Sequence, residues 1–152
     1  MKLINLTPHL LTLVGSVRLD VPTSGTIARL AVTREARPDV VLDDGTVLAV
    51  ARPTLGAVTG LPDALWTLTV QSPDAPGVDE PLDVVAPYEG VARSLAPAGW
   101  AVVDARVSTR TVYIVSALVA EAVKRPDVMS PGELIRDAAG VIIGARGLCA
   151  YV

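Results

Sequence analysis

The pattern of apolar and polar residues along the chain predicts a protein built mainly of short β-strands. Two alternating runs meet at Gly15-Ser16 in LLTLVGSVRLDVP, and a stronger pair meets at Asp44-Gly45 in VVLDDGTVLAVA. Glycine beside a short polar residue favours a tight turn, so each stretch is typical of a β-hairpin. Between them, SGTIARLAV predicts a turn and a further strand. Three hairpin-like units in succession favour one antiparallel meander.

The middle of the chain, residues 62–97, differs in composition, because prolines and acidic residues interrupt its apolar runs. Proline cannot donate to a ladder of hydrogen bonds, so this density disfavours central strands over most of the segment. Trp66, Leu68 and Val70 nevertheless alternate with polar residues and need a face to bury. We interpret the segment as a long surface excursion with edge strands, after which GWAVVDARV returns to strand.

The clearest helix signal is TVYIVSALVAEAVKRPD, which begins as an apolar strand and continues as helix-forming residues after Ser116. Ser116 is placed as the N-cap, and Pro126 ends the helix. The helix is apolar nearly all round, which predicts burial against the sheet. A last hairpin follows in ELIRDAAGVIIGARGL, with its second strand kinked at Gly144 and Gly147.

These elements predict a single α+β domain over residues 1–152. We expect a mostly antiparallel β-sheet, or a partly open small barrel, with one packed α-helix. Composition agrees with this fold class. Half of the residues are hydrophobic (51%), yet only five are aromatic and none is phenylalanine. A core of small branched side chains suits a pleated sheet.

Charge and residue counts disfavour several classes of protein. Thirteen basic and 16 acidic residues give a net charge of −3, without the basic excess that sequence-independent nucleic-acid binding needs. The single histidine, His9, and the single cysteine, Cys149, argue against a zinc site or an iron–sulfur cluster. Cys149 lies in an apolar run and is expected to be buried. We find no signal peptide and no run of about 18 apolar residues, so we expect a cytoplasmic protein without membrane partners.

Enzymatic motifs are also missing. The chain has no G-x-S-x-G, no G-x-x-x-x-G-K-[ST] and no G-x-G-x-x-G. A magnesium site made of carboxylates alone stays open for Asp43, Asp44, Asp104 and Asp137, although aspartate at 43 and 44 also suits a turn. We therefore expect no enzyme activity and no cofactor.

Four motifs, INLTPH, VPTSGTIAR, VYIVSALVAEA and RPDVMSPGELIRDAAGVIIGARGL, occur in this order along the chain. In these motifs the chain resembles a group of small proteins from bacteriophages and prophages, especially those of actinobacteria. The resemblance covers residues 3–30 and 111–148. Typical members pass quickly from a GLP turn to the VYIVS strand, which implies an insertion at residues 62–110 here. The resemblance implies a phage context, in the infected cell or associated with the virion, and no mechanism.

One set of residues fits an anionic ligand. Ser116 at a helix start offers free backbone N–H groups, and the guanidinium groups of Arg29 and Arg136 could grip a phosphate or carboxylate. His9 and Asn5 could add hydrogen-bond donors. The alternative is structural: Ser116 is only a cap, the arginines are solvated strand charges, and Thr7-Pro8-His9 is a turn whose backbone is bonded by Asn5 or Thr7.

Two functions follow from this. The first is a non-enzymatic, homo-oligomeric binding protein that sequesters an anionic, nucleotide-like small molecule, by analogy with phage proteins that sequester nucleotide signals of host immunity. The second is a structural or assembly protein, such as a virion accessory, that covers exposed apolar strands with a symmetric partner. An assembly protein should depend on residues 72–98, and a ligand binder on Arg29 and Arg136.

Overall fold

The computed structural model describes all residues, 1–152. The chain forms eleven strands and two helices: β1 (Lys2–Asn5), β2 (Leu11–Val14), β3 (Arg18–Val21), β4 (Arg29–Val41), β5 (Val47–Thr59), β6 (Ala64–Gln71), β7 (Glu80–Ala86), α1 (Glu89–Ser94), β8 (Ala101–Val107), β9 (Thr111–Ile114), α2 (Ala117–Val123), β10 (Val128–Arg136) and β11 (Ile142–Ala150). The strands are divided among three sheets, of six, two and three strands.

The six-stranded sheet is a nearly closed barrel with the strand order β1-β9-β10-β11-β2-β3. Its open side is bridged where Asn5 meets Thr23, and the Ser24 N–H donates to the Asn5 carbonyl at 2.9 Å. The predicted α+β class with a small barrel is therefore confirmed. Five of the eight strand pairings in the molecule are antiparallel, but the barrel itself contains the three parallel ones.

The predicted hairpins form, but the predicted single meander is wrong. β2 and β3 pair in the barrel, whereas β4 and β5 pair only with each other in a separate sheet. The chain just after β3 is already bridged to Asn5 of β1, so β4 has no open edge there to join. β4 and β5 instead leave the barrel as a hairpin of 13 residues in each strand, which we call the arm.

Residues 64–107, inside the predicted insertion, build their own small sheet with β6 between β7 and β8. Leu68, Val70, Ala86 and Ala92 form its buried core, to which helix α1 contributes Ala92. The prediction of a surface excursion with only edge strands is wrong, and α1 is a second helix that the sequence did not reveal. Proline falls in the turns and in the edge strand β7, which leaves β6 free of it.

Helix α2 begins at the predicted cap, where the Ser116 hydroxyl accepts a hydrogen bond from the Val119 N–H at 3.4 Å. It ends at Lys124, which adopts the left-handed conformation with φ +49°, two residues before Pro126. Only Val119 and Ala120 are buried, in a cluster with Leu6, Ala28, Val115 and Val128. The predicted packing of the helix against the sheet is therefore present on one face only, and Leu118 is exposed.

Candidate functional site

Two of the predicted ligand residues, Arg29 and Ser116, line the same shallow groove of about 330 Å³, where the arm leaves the barrel beside α2. Pro8, Ile27 and Leu118 form part of its apolar wall. Arg29 is exposed and has no carboxylate within 4.0 Å, whereas six other arginines are paired with acidic side chains. The groove therefore holds one uncompensated guanidinium beside a serine hydroxyl.

The other predicted residues lie elsewhere. His9 is exposed in a separate groove of about 250 Å³, with Leu134 and Ile142 among its lining residues. Arg136 stands at the end of the β10–β11 hairpin, and its Nη1 donates to the carbonyl of Gly140 at 2.8 Å. The five residues therefore do not converge on one site.

Asn5 is fully engaged inside the barrel and is 1% exposed. Its Nδ2 donates to the carbonyls of His9 at 2.8 Å and Val21 at 3.0 Å. Its Oδ1 accepts from the backbone N–H of Thr7 at 2.9 Å and from the Thr7 hydroxyl at 2.7 Å. Because every polar atom of the amide has a partner, Asn5 organises the turn through His9 and closes the barrel.

The sequence predicted the β4–β5 hairpin but not its exposure: the arm is exposed along almost its whole length. Alternation along β5 and its register with β4 divide the arm into two faces. One face is apolar apart from Arg34, and we call it the apolar face: Val32, Arg34, Ala36, Val41, Val47, Ala49, Ala51, Pro53 and Leu55. Its signal in the sequence was the run of alternating Val, Ala and Leu on both sides of Asp44-Gly45.

The opposite face of the arm is polar along its base and apolar only near its tip. The cross-strand pairs Thr33–Thr54 and Glu35–Arg52 form its polar part, and Arg37, opposite Val50, extends that part by its ion pair with Glu35. Val40, Leu48 and Val50 form the apolar part. The two faces thus differ most strongly in the half of the arm nearest the barrel.

The tip of the arm is a tight acidic turn at Asp43-Asp44-Gly45. Gly45 adopts φ +83°, a left-handed conformation that glycine adopts without steric cost. The backbone N–H of Thr46 donates to the Asp44 carboxylate at 2.8 Å and holds the pKa of that carboxyl below its ordinary value. The tip therefore carries negative charge, while Arg34 stands nearer the base.

A shallow depression of about 360 Å³ lies on the apolar face between Val32, Arg34, Ala49, Ala51 and Pro53. The methyl side chains of Ala49 and Ala51 form its floor because they are shorter than their neighbours. Towards the tip, the cross-strand pair Val41 and Val47 stands out, with exposed fractions of 64% and 60%. The apolar face thus has a hollow and a projection at different distances from the tip.

The chain exposes 9659 Å² of surface, and only 21 of its 152 residues are buried. A compact monomer of 15.8 kDa would expose about 7,300 Å². The excess is therefore about 2,300 Å². Single exposed apolar residues are ordinary on protein surfaces, whereas the arm exposes a row of them along one face, interrupted only by Arg34.

The acidic, histidine and cysteine side chains do not gather in the way a metal ion requires. No three of them lie together as a candidate set of ligands, and this holds for Asp43, Asp44, Asp104 and Asp137. Cys149 on β11 is exposed, so its predicted burial is wrong. Neither helix has the length and apolarity that a membrane-spanning segment needs.

The site features of this chain are thus an exposed arm with one apolar face and a groove that contains Arg29 and Ser116. Comparison with family models, with curated proteins and with solved structures finds no match for this chain.

Proposed function

We propose that this chain is a non-enzymatic structural protein that works as a homo-oligomer and uses the arm to hold its neighbours. The observation that carries the proposal is the surface excess of about 2,300 Å² over a compact monomer. A stable interface buries about 800 Å² on each partner, so the excess is large enough for one or more such contacts.

The energetics of the arm support this function. A two-stranded ribbon is marginally stable by itself in water, and this one has no third strand and no helix over its outer part. Burying one Val or Leu side chain stabilises a contact by about 1.5–3 kcal/mol. Val32, Val41, Val47 and Leu55 on the apolar face are each at least 46% exposed. A partner that covers them would stabilise both the arm and the assembly.

The resemblance to small phage and prophage proteins supports a phage context for such an assembly. A virion accessory protein, or an assembly factor in the cytoplasm of the infected cell, must join copies into a regular structure. An exposed arm with an apolar face suits that task, because identical subunits join through repeated contacts of the same patches.

Shortening the arm should convert an oligomer into a monomer. Replacing residues 34–53 by Asn-Gly keeps the Thr33–Thr54 pair and closes it with a two-residue turn. None of the three core clusters contains a residue from this range, so the barrel should stay folded. Light scattering coupled to size-exclusion chromatography would measure the mass, and circular dichroism would measure thermal stability.

The matched control shortens the exposed β6–β7 loop, residues 72–78, and should leave the oligomer intact. Deletion of all of residues 72–98 is a poor test, because it removes Ala86 and Ala92 from the core of the three-stranded sheet. A wild-type chain that is monomeric at concentrations of tens of micromolar would refute the proposal.

A second candidate function, binding of an anionic small molecule, is favoured by the meeting of Arg29 and Ser116 in one groove. An uncompensated guanidinium can donate two parallel hydrogen bonds to a phosphate or carboxylate. Nucleotide-like ligands fit this chemistry.

Replacing Arg29 by alanine should abolish such binding, while Arg136→Ala should not, because Arg136 lies outside the groove. Native mass spectrometry of protein purified from infected host cells would show a ligand of a few hundred daltons on the wild type and on Arg136→Ala. A wild-type protein without added mass, or equal ligand loss in both variants, would contradict this second function.

A further inference from the structure

We propose that the arms of two copies pack antiparallel, apolar face against apolar face, about a two-fold axis at Ala49. This inference rests on the proposed oligomeric function and names the partner of the arm as a second copy of the same chain. Three properties of the apolar face support it: its shape, its charges and the pairing that its symmetry allows.

The shape of the apolar face is self-complementary about Ala49. Strand β5 places Val47 two residues before Ala49 and Ala51 two residues after it, all on the same face. In an antiparallel pair, a two-fold axis at Ala49 sets Val47 of each copy opposite Ala51 of the other. The projecting Val41–Val47 pair of one arm then enters the depression floored by Ala49 and Ala51 in its partner. Filling that hollow with methyl groups gives the close packing that a stable contact needs.

The charges of the arm select the same register. Arg34 pairs with Pro53, four residues from Ala49 towards the base, and Gly45 of the acidic turn lies four residues from Ala49 towards the tip. The two-fold axis at Ala49 therefore brings Arg34 of each copy over the turn that carries Asp43 and Asp44 in the other. Arg34 has no carboxylate within 4.0 Å in its own chain. The pairing of the two arms gives Arg34 of each copy a carboxylate partner. Opposite charges at the edge of an interface fix the register of the two chains.

The two-fold symmetry of this pairing limits the assembly through the apolar face to two chains. Both copies use the same patch, so the interface is isologous and joins two chains without leaving an equal patch free on either. The polar base of the opposite face, with Thr33, Glu35, Arg52 and Thr54, offers no comparable apolar surface. The apolar face is thus the side of the arm on which a second copy would lie.

Disulfide trapping tests the register directly. In a Cys149→Ser background, which removes the only native thiol, Ala49→Cys places one cysteine at the proposed axis. Mild oxidation with oxidised glutathione should give a disulfide-linked dimer in most of the protein. The matched control, Val50→Cys, lies one residue further along β5 on the opposite face and should give little or none.

Each outcome separates this inference from the proposed function. An oligomer in which Ala49→Cys fails to cross-link, or in which Val50→Cys cross-links as well or better, overturns the arm-to-arm pairing and leaves the assembly function standing. A monomeric wild type overturns both. The expected result is cross-linking of Ala49→Cys alone.

Charge exchange provides a second measurement that does not depend on a cysteine. Arg34→Glu and Asp43→Arg should each weaken dimerisation about tenfold or more, because each sets like charges opposite one another. The double variant should restore the dissociation constant to within about threefold of the wild type. Additive weakening in the double variant, measured by analytical ultracentrifugation, would overturn the proposed register.

Discussion

Replacing Asn5 by alanine should destabilise the protein by about 3 kcal/mol or more, one of the largest effects that a single substitution would have in this chain. The amide side chain makes four hydrogen bonds, and its removal leaves the Val21 carbonyl and the Thr7 N–H without these partners, while the His9 carbonyl keeps the Thr7 hydroxyl at 3.1 Å. Buried polar groups without partners cost about 1–3 kcal/mol each, although water can enter at the exposed end near His9.

Two further variants distinguish this role from simple packing. Asn5→Asp keeps the shape of the side chain but replaces the Nδ2 donor with an oxygen that faces two carbonyls, so it should be at least as destabilising as alanine. His9→Ala keeps the backbone carbonyl that Asn5 binds and should cost less than about 0.5 kcal/mol, since its side chain is exposed. Urea unfolding followed by circular dichroism would measure all three. A loss below about 1 kcal/mol for Asn5→Ala would show that the amide does not hold the barrel closed.

Local sequence signals predicted the individual elements well because turns and caps depend on near neighbours. Asp44-Gly45 marked the tip of the arm, and Ser116 marked the start of α2. The turn between β2 and β3 was found at Gly15-Ser16, although it contains Val17 as well, since Val14 pairs with Arg18. In each case the residues that fix the backbone lie within a few positions of one another.

The arrangement of the strands could not be predicted from these signals. Whether β4 joins the barrel depends on Asn5 and Thr23, which are 18 positions apart and occupy the edge that β4 would need. The burial of Leu68 and Val70 was expected. Their core partners Ala86 and Ala92 lie beyond a proline-rich turn, and the prolines there led to the prediction of a surface excursion instead of a sheet with its own core. Such long-range contacts leave no periodic trace in the sequence.

The candidate site was predicted only in part for the same reason. Arg29 and Ser116 were chosen for their chemistry, and the fold brings them to one groove. Asn5 was chosen as a donor, but its amide is used within the barrel. No functional prediction named the arm, because an alternating strand has the same sequence pattern whether its apolar side faces a core or a partner.

Replacing Asp127 by alanine should destabilise the protein by about 3 kcal/mol, because it breaks a buried ion pair by removing one partner. The Asp127 side chain is 2% exposed and accepts hydrogen bonds from Nε and Nη2 of Arg125 at 3.0 and 2.7 Å. Nη1 of Arg125 donates to the carbonyl of Pro62 at 2.9 Å, just before β6. The pair therefore ties the start of the three-stranded sheet of β6, β7 and β8 to the barrel.

A double-mutant cycle would separate the ion pair from the packing of its side chains. Arg125→Met alone leaves a buried carboxylate without its cation, and Asp127→Leu alone leaves the guanidinium without its anion. The double variant has neither defect and should be more stable than the sum of the two single losses predicts, with a coupling of about 1–3 kcal/mol. Chemical unfolding would give these values, and additive losses would show that the pair contributes nothing beyond its parts.

The Asp127→Ala variant also tests how the three-stranded sheet is attached to the barrel. If Arg125 orients the segment at Pro62, then Asp127→Ala should speed amide hydrogen exchange in β6 and β8 more than in β2 and β3, which lie away from the pair. Equal acceleration in both sheets would show instead that the two unfold as one unit. In that case Asp127 would stabilise the whole fold, and the position of the three-stranded sheet would depend on its other contacts beside the barrel, including the Arg110–Asp83 ion pair at 2.8 Å.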